Sequence, residues 1–283
     1  MIKTISTIPD LRAQINAWRS QKQVALVPTM GNLHAGHLSI VERALSAADR
    51  VVVSIFVNPL QFGVGEDYQT YPRTFEADCE KLEKVGTHLL FTPSVTELYP
   101  AGMEATTYVT VPKLSDILCG ASRPGHFKGV ATVVNILLNI VQPDKALFGE
   151  KDYQQLTIIK RMVADLFMPI EIIGVPTVRE ADGLAMSSRN QYLNAEQRAI
   201  APTLFQTIDN MRIKIESGEH NYTSLENQAM QTLAETGFKP DYVAVRQAHT
   251  LDMPTTAADE DLVILAAAWL GRARLIDNRV VAK

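Results

Sequence analysis

Two histidines three residues apart, His34 and His37, follow an apolar run at residues 24–27 and the short stretch Pro28, Thr29, Met30, Gly31. The run suits a buried strand. Gly31 and Gly36 suit a sharp turn and close backbone approach to a ligand. A helix is expected to begin near His37, presenting free backbone N–H groups and a partial positive charge. Two imidazoles on one face of that helix start add donors. A strand edge, a helix N-terminus and two histidines together make a phosphate site. The spacing also suits a core pair or a metal fragment. Zinc is the weaker choice, because it needs a third ligand and a Glu beside the first His, and Ala35 follows His34.

Each further polar cluster falls at the end of an expected strand. After residues 51–57 come Asn58 and Gln61, whose amides bind hydroxyls and carboxylates; Asn58 before Pro59 also reads as a plain turn. After residues 146–148 come Gly149, Glu150, Lys151 and Asp152. Lys151 is a cation at a helix start, where the dipole disfavours it, which suggests an anion between them. Its plain alternative is a solvated surface Lys. The loop Met186, Ser187, Ser188, Arg189 offers two hydroxyls and a planar guanidinium to a pyrophosphate leaving group. Alone, it is also an ordinary polar linker. Arg123 and His126 flank a Pro-Gly turn and read as substrate-side residues or as the turn itself.

The elements that must position these groups alternate β and α through residue 177. Strands are expected at 24–27, 51–57, 89–91, 146–148 and 170–175, with helices at 74–85, 130–141 and 153–166. That alternation implies a Rossmann-like parallel sheet with helices on both faces and ligands at the carboxyl ends of its strands. From residue 178 the pattern changes. Asn194 and Gln197 form a capping box for a helix running to about Ile215 and stopped at Gly218, and a second helix spans 221–236. Strands at 242–245, 262–266 and 273–276 complete a small α+β domain. The division expected is 1–177 and 178–283.

The 283 residues are 46% hydrophobic and 20% charged with a net charge of -4, which leaves no basic field for nucleic acid. The two cysteines, Cys79 and Cys119, are expected as free thiols in a reducing compartment. The N-terminal residues lack a signal-peptide apolar region. The longest apolar run, near 129–141, is shorter than the roughly 20 residues a bilayer requires. A cytoplasmic protein without a membrane partner is expected.

Taken in order, Pro28-Thr29-Met30-Gly31 with His34 and His37, Val57-Asn58-Pro59 with Gln61-Phe62, Tyr71-Pro72-Arg73-Thr74, Arg123-Pro124-Gly125-His126-Phe127, Gly149-Glu150-Lys151-Asp152 and Met186-Ser187-Ser188-Arg189-Asn190 resemble the pantothenate synthetase family across nearly the whole chain. The first motif also resembles the H-x-G-H signature of the wider nucleotidyltransferases. The Met186–Arg189 loop resembles the K-M-S-K-S loop of class I aminoacyl-tRNA synthetases, with its lysines replaced. The resemblance implies that ATP, pantoate and β-alanine give pantothenate, AMP and pyrophosphate through a pantoyl adenylate. It implies charge stabilisation by His34, His37, Lys151, Ser187, Ser188 and Arg189. It implies a nucleotide lined by Met30, Gly31, Asn32, Leu33, His34, Ala35, Gly36, His37, Gly149, Glu150, Lys151, Asp152, Val178, Met186, Ser187, Ser188 and Arg189. Asn58 is expected on the β- and γ-phosphates or their ion, and Gln61 and Gln155 on pantoate. Magnesium rides on the phosphates with no protein metal site, although Asp78 is a candidate for its hydration shell. A homodimer and a C-terminal lid are also implied. The rivals are another nucleotidyltransferase that keeps AMP in its product, and a non-catalytic nucleotide-binding regulator.

Overall fold

In the computed structural model, which describes residues 2–63, 65–255 and 261–281, the chain divides into two compact units. One comprises Met1–Glu150 with Ile158–Pro176, the other Lys151–Thr157 with Thr177–Lys283.

In chain order the elements of the first two-thirds are β1 (Thr4–Ile5), α1 (Ile8–Arg19), β2 (Val24–Thr29), α2 (Ala35–Ala47), β3 (Arg50–Ile55), α3 (Phe75–Lys84), β4 (Leu89–Phe91), α4 (Val95–Leu98), α5 (Cys119–Ser122), α6 (His126–Val141), β5 (Lys145–Gly149), α7 (Tyr153–Asp165) and β6 (Glu171–Val175). The six strands form one parallel sheet in the order β1-β4-β3-β2-β5-β6. Strands β2 and β3 pair from Val24↔Arg50 to Thr29↔Ile55. Their apolar residues are buried on both faces, as central parallel strands require. One face packs Ala25, Val27, Val51 and Val53 against Val41 and Ala44 of α2 and Leu82 of α3. The strand order reverses between β2, which leads towards β3, and β5, which leads towards β6. In open α/β sheets the crevice at such a reversal is where ligands bind, outside the carboxyl ends of the strands.

The second unit contains α8 (Ala195–Ile200), α9 (Thr203–Glu216), α10 (Tyr222–Glu235), β7 (Lys239–Gln247), β8 (Leu262–Leu270) and β9 (Ala273–Val281). The three strands form an antiparallel sheet in sequence order. Leu204, Ile208 and Met211 of α9 and Leu225 and Leu233 of α10 pack with Val245, Ile264 and Ala266 of the sheet. The capping box at Asn194 forms as expected, and Gly218 and Gly237 take positive φ just beyond α9 and α10. The fold is thus the α/β class with a smaller α+β part. No helix among the described residues is long and apolar enough to cross a membrane.

Several local expectations need correction. The helix expected to run from Asn194 to about Ile215 is two helices, because Pro202 has no N–H for the hydrogen-bond ladder. Helix α2 begins at Ala35, two residues before His37, so Gly36 is helical and takes no positive φ. Of the two glycines, only Gly31, at φ +81°, takes a positive φ. In α3 the helical spacing of Phe75, Cys79, Leu82 and Val85 suggests one apolar face, but Phe75 is exposed and the buried positions are Asp78 and Leu82.

Candidate active site

His34 caps α2, and its neighbour one turn on completes the cap. The His34 Nδ1 accepts from Gly36 N at 3.2 Å, and the His37 Nδ1 accepts from His34 N at 3.3 Å. The two rings lie 4.1 Å apart at the helix N-terminus. An imidazole whose Nδ1 accepts a hydrogen bond carries its proton on Nε2 when neutral. The backbone therefore fixes one tautomer in both rings, with Nε2 as the donor.

The turn between β2 and α2 is held from beneath by Asp78 of α3. Its carboxylate is 1% exposed. It accepts from Asn32 N and Leu33 N, each at 2.8 Å. Lys81, one turn on, donates to Leu33 O at 2.7 Å. Gly31 at φ +81° and Asn32 at φ +51° are both left-handed here, a conformation that costs energy for Asn. These bonds place Asn32, Leu33 and Asp78 within the fold. The N–H groups of Asn32 and Leu33 both go to Asp78. Leu33 is buried, with both backbone groups committed. Asp78 is a clamp for the turn, with each carboxylate oxygen taking one backbone N–H.

A second cluster builds around Gln61, in a 3₁₀ turn over Pro59–Gln61 after β3. Its Oε1 accepts from Asn58 Nδ2 at 3.3 Å, and its Nε2 approaches Met30 Sδ at 2.8 Å. Asn58 is 1% exposed and fully used. Its Nδ2 also donates to Gly129 O at 3.1 Å, while its Oδ1 accepts from Tyr99 Oη at 2.8 Å and Leu60 N at 3.3 Å. Burial pushes the Tyr99 phenol well up, so it stays a donor. Asn58 therefore holds Gln61 in place, through bonds that also reach α6 and Tyr99.

Arg123 and His126 also turn inward. Arg123 forms a two-pronged pair with Glu66, Nε to Oε1 at 2.6 Å and Nη2 to Oε2 at 2.5 Å. Burial pushes the Glu66 carboxyl up, but the hydrogen bond and charge of Arg123 outweigh it and hold the group below its ordinary value. His126 Nδ1 donates to Gln61 O at 2.7 Å, and its Nε2 lies 3.1 Å from Arg123 Nη1. Both residues brace the Gln61 backbone carbonyl, Arg123 Nη2 at 3.5 Å and His126 Nδ1 at 2.7 Å.

In the second unit, Lys151 sits in a 3₁₀ turn over Glu150–Asp152 that leads into α7. Its Nζ is 3.7 Å from the Asp152 carboxylate, a partly exposed pair. Gln155 lies in the first turn of α7 and is half-buried. Residues 178–186 form a hairpin, with Glu180 N bonded to Leu184 O, Met186 N bonded to Val178 O, and Gly183 at φ +94°. The hairpin delivers Ser187, whose Oγ accepts from Arg189 N at 3.3 Å and caps a 3₁₀ turn over Ser188–Tyr192.

Sequence reasoning did not find Glu66, Tyr99 or Gly129. Only Gly129 leaves a trace in sequence, as a glycine beside a long apolar helical run, where it is costly unless another backbone comes close.

A family model described as pantoate-beta-alanine ligase matches residues 3–280. The chain belongs to the pantoate-beta-alanine ligase family. A pantothenate synthetase of Shewanella baltica is 58% identical over 276 residues, covering 97% of this chain and 98% of the relative. One from Pseudomonas fluorescens is 57% identical over 278 residues, covering 98% and 97%. The crystal structure of pantothenate synthetase from Thermus thermophilus superposes with a TM-score of 0.92 at 46% identity, with both chains covered in full. A ligase from Francisella tularensis, complexed with beta-gamma ATP and beta-alanine, gives 0.83 at 34% identity and covers 99% of this chain and 98% of that one. This chain is therefore an acid–amine ligase joining pantoate to β-alanine.

For this ligase, Gly129 carries a sharp expectation. A Cβ there would lie 2.1 Å from Leu60 O and 2.7 Å from Gln61 N, both backbone atoms. No flexible side chain is available to give way. Gly129→Ala should force α6 off the Pro59–Gln61 turn, destabilising the fold by about 1–3 kcal/mol and raising the KM for pantoate. Unfolding midpoints and initial rates check this; an unchanged KM with an unchanged midpoint would refute it.

Proposed function

We propose that the ligase works in two half-reactions on ATP. A pantoate carboxylate oxygen attacks the α-phosphorus and pyrophosphate leaves. The β-alanine amine then attacks the carbonyl of the bound pantoyl adenylate, loses a proton and displaces AMP. A free carboxylate is a poor acyl donor, so activation must come first. Negative charge spreads over the phosphoryl oxygens as the first step proceeds.

The His34–His37 geometry carries this reading. Both Nδ1 atoms are bound to backbone N–H groups, so each neutral ring presents Nε2–H as a donor at the start of α2. These donors act on the phosphoryl oxygens together with Lys151, Ser187, Ser188 and Arg189. Gln61 and Gln155 hold pantoate. The nucleotide lies along the backbone of residues 30–37 and 149–152, with Val178 and Met186. The Francisella relative, complexed with beta-gamma ATP and beta-alanine, supports ATP as the co-substrate.

Magnesium enters as part of the substrate, on the ATP phosphates, where it keeps several waters. The Asp78 carboxylate is committed to two backbone N–H groups, which favours a phosphate-borne ion over one caged by the protein. A homodimer in the cytoplasm completes the proposal, in keeping with the two free cysteines, Cys79 and Cys119.

The test is isotope exchange. Labelled pyrophosphate should enter ATP when pantoate and magnesium are present and β-alanine is absent. Without pantoate no exchange should occur. Adding β-alanine should release AMP and pantothenate in equal amounts. Exchange that demands β-alanine would mean a concerted reaction, and a phosphorylated pantoate appearing with ADP would mean a different class of ligase.

A further inference from the structure

Two adjacent residues near the middle of β9, Asp277 and Asn278, are polar and buried, at 4% and 7% exposure. Successive residues of a strand face opposite ways, and these two reach different segments. Asn278 Nδ2 donates to the backbone carbonyl of Lys151 at 2.9 Å. Asp277 takes a two-pronged bond from Arg179, Nη1 to Oδ2 at 2.7 Å and Nη2 to Oδ1 at 2.9 Å. Its Oδ1 also accepts from Asn278 N at 2.8 Å. Arg179 Nη1 passes the connection on to Gly183 O at 3.0 Å, at the tip of the hairpin that leads to Ser187 and Arg189. The guanidinium is stacked 3.9 Å from the centroid of Phe205, which fixes its plane.

A buried ion pair is a weak source of stability, and an apolar pair would serve the core as well. The partners of this pair lie on the two segments of the second unit to which the proposed mechanism gives phosphate-handling groups. We infer that Asp277 and Asn278 are positioning residues for adenylate formation. Asn278 sets the backbone from which the Lys151 side chain extends. Asp277, through Arg179, sets the hairpin that presents Ser187, Ser188 and Arg189. Neither touches substrate. The inference rests on the proposed role of Lys151 and of the 186–189 loop.

The experiment is a double-mutant cycle on the full chain, read by pantoate-dependent pyrophosphate exchange. The variants are Asn278→Ala, Lys151→Ala and the two combined. Asn278→Ala should lower the maximal exchange rate on the order of 10²-fold, the cost of a roughly 1 Å misplacement. The KM for pantoate should stay within about twofold, and the double variant should be no slower than Lys151→Ala alone. A merely structural role predicts a further loss in the double variant, and that result overturns the inference while leaving the role of Lys151 standing. A wild-type rate in Asn278→Ala does the same. A wild-type rate in Lys151→Ala overturns the role of Lys151 and the inference with it. If Asn278→Ala does not fold, Asp277→Asn is cycled against Arg189→Ala under the same criteria.

Discussion

Lys151→Ala should fold as the parent does and lose about 10²–10³ in the rate of adenylate formation, or about 2.7–4 kcal/mol of transition-state stabilisation. The fold survives because the substitution leaves the Lys151 carbonyl, and with it the bond from Asn278. The ion pair that the substitution removes, with Asp152, is long, at 3.7 Å, and partly exposed, and such pairs add little to stability. The rate falls because the turn over Glu150–Asp152 leads into α7, so the ammonium group stands near a helix start where only an anionic partner favours it. A developing pyrophosphate is such a partner. Pyrophosphate exchange at saturating ATP, with an unfolding midpoint beside it, decides the matter. Near-wild-type exchange would remove Lys151 from the chemistry.

Asp78→Asn should be nearly as damaging, through the turn that Asp78 holds. Each carboxylate oxygen takes one backbone N–H of the turn before α2, and the site is closed to water. An amide presents an NH₂ group to one of those N–H donors, and leaving a buried donor unsatisfied costs about 1–3 kcal/mol. The two left-handed residues Gly31 and Asn32 are then no longer held from α3. His34 follows directly, and a displacement of about 1 Å at the reacting centre is worth on the order of 10² in rate. The expected signature is slower exchange together with a lowered unfolding midpoint. An Asp78→Asn enzyme that exchanges pyrophosphate at the parent rate would show that the clamp does not position the histidines.

The parallel sheet was readable because β2, β3 and β5 are short apolar runs, each followed by a glycine, a proline or a polar turn. Strand β1 is only Thr4–Ile5, too short to carry a period, and it forms by pairing with β4, far away in sequence. The break between α8 and α9 was visible as Pro202 and was overridden by the helical pattern around it. The polar clusters were readable as clusters, and the bonds that hold them were not. Asn58 and Arg123 look like ligand residues because both lie in turns beside other polar groups. Their partners, Gly129 at 71 positions from Asn58 and Glu66 at 57 from Arg123, become neighbours only through the fold. Nothing local to Asp78 shows that the Asn32 and Leu33 amides, 46 and 45 positions earlier, reach its carboxylate.

The bond between Asn278 and Lys151 also orders events during synthesis. The clamp on the histidine turn closes once Asp78 has emerged, and the brace on Asn58 once Gly129 has. The Lys151 carbonyl waits for a partner 127 residues further on. At ribosomal speeds of about 5–20 residues per second, that wait is roughly 6–25 s. A nascent chain therefore lacks the anchor on its Lys151 segment until β9 is made, after every residue that holds the histidine turn and the Gln61 turn has been synthesised.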